Sequence, residues 1–215
     1  METRSQARPP RRRSQAERRA STRTALLDAT IACVVERGYA GARMAEIETR
    51  AGVSRGARLH HYADKAELMS AAVAHLFERL AEDFEAGMAA HPPGGEDEAV
   101  RFRAGYRLLW SHHEHPAQAA VLDLFAAART DPELRRALAE GTAGMGRRAR
   151  EVAARVFPNL ARRELNGLLE SIQALMTGVA LRRGVYGETP RDEQVLALFE
   201  DLITQRFVKP PGAAR

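Results

Sequence analysis

The densest run of side chains able to do chemistry lies between positions 54 and 65, which hold Ser54, Arg55, Gly56, Arg58, His60, His61, Tyr62 and Lys65. An arginine pairs bidentately with a guanine edge, whereas a histidine offers one hydrogen bond, so Arg55, Arg58 and His60 are candidates to meet bases or backbone. Ser54, Arg55 and Gly56 would open a short helix, where free N–H groups and the helix dipole favour a phosphate. Arg43, at the start of the preceding helix, is a candidate for a further phosphate contact. A second cluster, His112, His113, Glu114 and His115, has metal-ligand residue types. Pro116 ends that helix, however, and no cysteine or carboxylate pair completes a ligand set, so a solvated or pocket-edge helix end is expected and no metal. Gly141, Gly144 and Gly146 lack the spacing of a phosphate-binding loop and predict a loosened helix start instead. No G-x-S-x-G occurs and Cys33, in an apolar run, has no evident partner, so neither catalytic residues nor a cofactor are expected.

Charge is unevenly placed. Residues 1–23 hold eight arginines against Glu2 and Glu17, so the formal charge of +5 belongs to the N-terminal arm and the rest of the chain sums to −1. A basic arm displaces condensed counterions from phosphates, although a solvated tail has the same composition. A hydrophobic content of 45% supports a real core. No apolar run approaches the roughly 18 residues of a membrane span, and no apolar segment of a signal peptide follows the basic N-terminus, so a cytoplasmic protein without membrane contact is expected.

The elements that must position these residues are helices. Ser14 and Glu17 fit a capping box, with Leu27, Ile31, Val34 and Val35 recurring until Gly38, which predicts a helix over 15–37. Short helices follow over 43–51 and 55–62, separated by Gly52 and Val53, with Ser54 as a cap. Asp64 and Glu67 open a longer helix over 65–90, closed by His91-Pro92-Pro93-Gly94-Gly95. Five more are predicted over 96–113, 116–129, 132–157, 161–184 and 190–207, punctuated by Pro116, Pro132, Pro158 and Pro190. No segment alternates as a half-buried strand does, so the fold class is all-α with nine helices. The expected organisation is a disordered basic arm (1–13), a DNA-binding unit (14–64) and an effector-binding and dimerisation domain (65–215).

Three helices with a tight glycine turn between the last two form a helix-turn-helix pattern. Residues 38–47 (GYAGARMAEI), 51–54 (AGVS) and 55–68 (RGARLHHYADKAEL) resemble the signature of the Tet repressor (TetR) family. The resemblance by motif covers residues 18–70; beyond them only helix number and lengths agree. It implies that His61 and Tyr62 pack near the DNA backbone and that Lys65 meets phosphate. Ala42 and Arg43 depart from a frequent threonine pair, weakening the cap of the second helix. Arg58 and Leu59 depart from a frequent Leu-Tyr, so the charge at 58 is expected to reach DNA or solvent, and Glu48, in place of an alanine, is expected to be exposed.

The resemblance also implies a cavity for a small-molecule effector among the fourth to eighth helices. Phe102, Tyr106 and Trp110 recur every four residues, beside Val121, Leu122, Leu124 and Phe125, with Met145, Gln173 and Met176 as further wall. Such a stripe suits either a pocket or ordinary packing. The last two helices carry broad apolar stripes, including Leu168, Ile172, Leu175 and Val179 on one and Leu198 and Leu202 on the other. In the family they form a four-helix bundle about a twofold axis, with the small Ala174 and Gly178 allowing close approach. A ligand-released homodimeric repressor of a pseudo-palindromic operator in double-stranded DNA is therefore implied. An enzyme or carrier using the helical pocket, or an architectural nucleic-acid binder, would be the competing classes.

Overall fold

A computed structural model describes residues 14–94 and 97–207; the basic arm 1–13 and Gly95 lie outside them. Ten helices and no strand occur among the described residues. Local signals start most of them. Ser14 accepts from the Glu17 amide at 3.1 Å while Glu17 accepts from the Ser14 amide at 2.7 Å, a complete capping box for α1 (Gln15–Gly41). Gly38, at φ 68° and ψ 172°, breaks α1 where the sequence predicts its stop, a backbone region that is essentially restricted to glycine. α2 (Met44–Ala51) begins at Arg43 without a side-chain cap and ends at Gly52 in the left-handed region. α3 (Arg55–Leu59) is shorter than expected, and α4 (Lys65–Met88) is capped by Asp64.

α5 (Glu98–Glu114) leads to α6 (Pro116–Ala128), which is capped by His115. The predicted helix over 132–157 is two helices, α7 (Pro132–Thr142) and α8 (Met145–Val156). Glycine costs about 1 kcal/mol per helical position relative to alanine, and three lie within six residues here. Packing decides the break. Leu134 and Leu138 of α7 join the core beside α1 and α4, whereas Val152 and Val156 of α8 pack on Phe84 and Met88. α9 (Arg162–Tyr186) and α10 (Pro190–Phe207) complete the chain.

The principal core joins α1, α2 and α4 to α6 and α7: Leu26, Ile47, Leu68, Val121 and Leu134 belong to one buried cluster. Packing is therefore continuous across residues 64 and 65. A second cluster joins α5, α9 and α10 and contains Leu168, Ile172, Met176 and Val179. The stripe drawn for a partner subunit is corrected accordingly: Leu168, Ile172 and Val179 are 3–5% exposed within the chain's own core, their broad face being consumed by α5 and α10. Leu175 is half-buried, and Leu198 and Leu202 are exposed at 63% and 54%. No described helix is long and apolar enough to cross a membrane.

One buried carboxylate pins the junction of α9 and α10. Asp192 accepts from the Thr189 amide and hydroxyl, each at 2.9 Å, and pairs with Arg182 and Arg183. Burial opposes its ionisation, but the Arg182 pair and the Thr189 donors prevail and bring its pKa down to about 2. A depressed carboxylate contributes stability above its ordinary pKa of 3.8, lost as pH falls through about 2. Asp192→Asn should therefore lower the thermal midpoint at neutral pH and flatten the acid limb of stability between those values. Denaturant titrations across that window measure this; superimposable profiles would show that the clamp contributes nothing.

Candidate nucleic-acid interface and cavity

α2 and α3 meet around a small core in which Ala42 and Ile47 are fully buried and Tyr62 nearly so. That packing leaves one surface outward, carrying Arg43, Ser54, Arg55, Gly56, Leu59 and His60, all exposed. The Ser54 hydroxyl accepts from the Ala57 amide at 3.2 Å, which fixes the start of α3. Arg43 and Arg55 pair with no carboxylate among the described residues. Tyr62 is buried, its hydroxyl accepting from Arg23 of α1 at 3.2 Å, while His61 beside it is half-buried.

Arg58 is the principal departure from expectation. It is 6% exposed, its Nε donates to Glu48 at 3.0 Å, and its Nη1 donates to the Tyr62 and Ala63 carbonyls at 3.0 and 3.1 Å. The guanidinium thus ties α2 to the turn after α3 and is committed inside the unit rather than reaching DNA or solvent. Glu48 is correspondingly only 14% exposed, not on the surface. Lys65 is also engaged: it donates to the Tyr39 carbonyl at 2.6 Å and sits 4.2 Å over the Tyr39 ring. Burial pushes its pKa down, partly offset by Asp131.

The segment after Gly38 binds this surface to the rest of the molecule. The Tyr39 amide donates to Asp123 of α6 at 2.5 Å, and its hydroxyl donates to Asp131, the cap of α7, at 3.0 Å. Burial and then the Asp131 bond hold the Tyr39 hydroxyl protonated, with a pKa of about 12. A side chain at position 38 would meet Asp123 Oδ2 at 3.1 Å, so the glycine serves both the turn and the approach.

Behind this unit lies a cavity of about 160 Å³. α4 contributes Phe77, Leu80 and Phe84, α5 contributes Phe102, Tyr106 and Leu109, and α8 and α9 close it with Val152, Leu165 and Ile172. Polar side chains on its wall are His112, His113, Gln118, Arg148, Glu78 and Gln173. Of the predicted wall residues, Phe102, Tyr106 and Gln173 are present. Trp110 stands one layer out, stacked on His113 with planes 3° apart and Arg183 4.8 Å from its ring. Leu124 is buried in the principal core, Phe125 is 46% exposed on the outer face of α6, and Met176 is buried in the second cluster away from the wall. Met145 begins α8, and its side chain lies outside what is described. Sequence reading missed Phe84 and Val152, whose helical spacing looks like plain core, and left the histidines between a solvated and a pocket-edge helix end.

An outward basic surface on a helix-turn-helix, backed by a helical body with an internal cavity, defines a DNA-binding regulator. Residues 26–72 match the bacterial regulatory proteins of the tetR family, and residues 108–208 match the C-terminal domain of BetI-type transcriptional repressors. The chain is 32% identical over 206 residues to the HTH-type transcriptional regulator CymR of Pseudomonas putida, covering 93% of this chain and 98% of that one. It is 30% identical over 185 residues to the HTH-type transcriptional regulator BetI of Serratia proteamaculans, covering 85% and 90%. The crystal structure of a TetR-family regulator from Pectobacterium atrosepticum superposes with a TM-score of 0.65 at 25% identity, over 92% of this chain and 100% of that one. The chain belongs to the TetR family of helix-turn-helix transcriptional regulators, with a C-terminal domain of the BetI type, a family of regulators rather than enzymes.

The two arginines of α3 should separate cleanly. Removing one partner of a buried ion pair costs about 3 kcal/mol or more, so Arg58→Ala should destabilise the fold and weaken binding to operator and scrambled DNA alike. Arg55→Ala should leave stability unchanged and cost about 1–3 kcal/mol on the preferred operator only. Denaturant unfolding with titrations on both DNAs tests this; a stable Arg58→Ala that loses only operator preference would show that Arg58 reads bases.

Proposed function

We propose that the protein is a homodimeric repressor that holds a pseudo-palindromic operator in double-stranded DNA and releases it when a small molecule fills the cavity. The observation that carries this reading is α6. One end places Gln118 on the cavity wall, and Asp123, further along, holds the Tyr39 segment from which the DNA-binding surface is hung. α4 makes a second connection, since Leu80 and Phe84 line the cavity and Lys65 at its start holds Tyr39. A ligand that prefers one arrangement of these helices shifts operator affinity, and DNA shifts ligand affinity by the same factor.

On the DNA, the exposed Arg55 and His60 are the base readers, and Arg43, the amides at Ser54 and Gly56, and Lys65 meet phosphate. Lys65 has three N–H donors, of which the Tyr39 carbonyl takes one. His61 and Tyr62 support the backbone-facing side. The dimer forms through α9 and α10, where Leu181, Val185, Tyr186, Leu198 and Leu202 are each more than half exposed, with Leu175 half-buried beside them. Apolar side chains in such number on one helical pair mark an interaction surface. Repression accords with the name of the family matched by the C-terminal domain.

Leu202→Asp should lower dimer affinity and operator affinity together with folding intact, whereas Ile172→Asp, inside the core, should unfold the chain. Sedimentation velocity and operator titration measure both; a monomeric wild-type chain at micromolar concentration would refute the dimer. Asp123→Ala should leave ligand binding in place and reduce release of operator DNA, because the link through α6 is cut. Unchanged release in that variant would place the coupling in α4 alone.

A further inference from the structure

Among the polar side chains on the cavity wall, His113 and Gln118 are the buried ones, and each keeps hydrogen-bonding capacity that no described residue takes up. His113 is 9% exposed; its Nδ1 lies 2.8 Å from the Leu109 carbonyl, and its Nε2 is buried with no hydrogen-bond partner. A carbonyl only accepts, so Nδ1 carries the proton. Burial pushes the ring's pKa below its ordinary value, outweighing the Leu109 bond, so the ring is neutral and Nε2 presents a lone pair. The Gln118 carboxamide, on a residue 4% exposed, makes no hydrogen bond among the described residues and supplies both a donor and an acceptor. An unpaired buried polar group is costly, and a ligand that pairs it recovers that cost.

Charge at the wall excludes ions. Arg148 is the one guanidinium there, and it already pairs with Glu78 at 3.3 Å and Glu85 at 2.8 Å, while Arg155 also pairs with Glu85. Two carboxylates and two guanidinium groups cancel, which leaves no free cation for a carboxylate ligand and no free carboxylate for an ammonium. Bringing either ion into this cavity would bury it unpaired. The volume of about 160 Å³ suits one ring, since an apolar cavity of about 150 Å³ takes benzene.

Resting on the reading of this cavity as the effector site, we propose that it takes an uncharged single-ring molecule carrying a hydroxyl group, a simple phenol, whose O–H donates to Nε2 of His113. The hydroxyl oxygen accepts from the Gln118 amide, and the ring lies among Phe84, Phe102, Leu109 and Val152. A hydroxyl is the smallest group that both donates and accepts, which is what these two partners demand together.

The test compares para-ethylphenol, ethylbenzene and para-ethylbenzoate by calorimetry and by the emission of Trp110, the only tryptophan, which stacks on His113. The phenol should bind about tenfold more tightly than either other probe or better. His113→Phe, checked for folding by circular dichroism, should lose most of the phenol's advantage over ethylbenzene. Equal affinities of the intact protein for all three probes would overturn the hydroxyl assignment and leave the cavity as a ligand site, and a preference for the benzoate would overturn it in favour of an anion. If no probe changes the emission, the heat or the thermal midpoint, the assignment and the cavity as a ligand site fall together.

Discussion

Two carboxylates from different parts of the chain, Asp123 and Asp131, hold the Tyr39 amide and hydroxyl, and the positions of both halves of the molecule follow from that grip. The short segment between the break at Gly38 and the start of α2 is a single turn, closed by the Ala42 amide donating to the Gly38 carbonyl at 3.0 Å, and the Tyr39 amide that opens it lies beyond the non-helical Gly38. That donor is satisfied by α6 instead, and the Tyr39 ring lies between the Lys65 ammonium and the α6–α7 corner. Since α2 and α3 hang from this segment, the surface that faces DNA is oriented by side chains more than eighty residues away. The hydroxyl bond to Asp131 is partly buried, and a phenol partly withdrawn from water loses more when its acceptor is taken away.

The two ends of α6 accordingly have different duties. His115 and Pro116 fix its start at the histidine corner of the cavity, and Asp123 faces the Tyr39 segment two turns further on. One helix, packed along its length into the dense core, thus joins Gln118 on the cavity wall to Asp123 at the Tyr39 segment. α4 runs beside it with the cavity at its middle and the helix-turn-helix at its start. Cavity and DNA-facing surface thus share two rigid struts.

Much of this was legible locally. The caps at Ser14, Ser54 and Asp64, the stop at Gly38 and the left-handed turn at Gly52 are set by residues close in sequence, so sequence alone locates them. What escaped depends on distant partners. Arg58 and Glu48 each look like a surface charge when taken singly; ten positions apart, they neutralise one another inside the unit. Leu168, Ile172 and Val179 have the periodicity of a buried face, but periodicity does not say whether the burying neighbour is the same chain or another, and α5 and α10 claim them. Phe102 and Tyr106 reach the cavity while Trp110, one turn on, does not, because the cavity ends at the His113 ring against which Trp110 stacks.

The unbroken core beneath the helix-turn-helix bears on how such regulators are recombined. Leu26, Ile47 and Tyr62 share their buried cluster with Leu68, Val121 and Leu134, so the DNA-reading portion is not a portable module that ends at residue 64. A chimaera joined there would graft one hydrophobic surface onto a mate shaped for another, and would lose the acceptors for Tyr39 at the same seam. A graft that changes operator preference while keeping the response to ligand has to leave that seam native and alter only the outward residues: Arg43, Ser54, Arg55, Leu59 and His60.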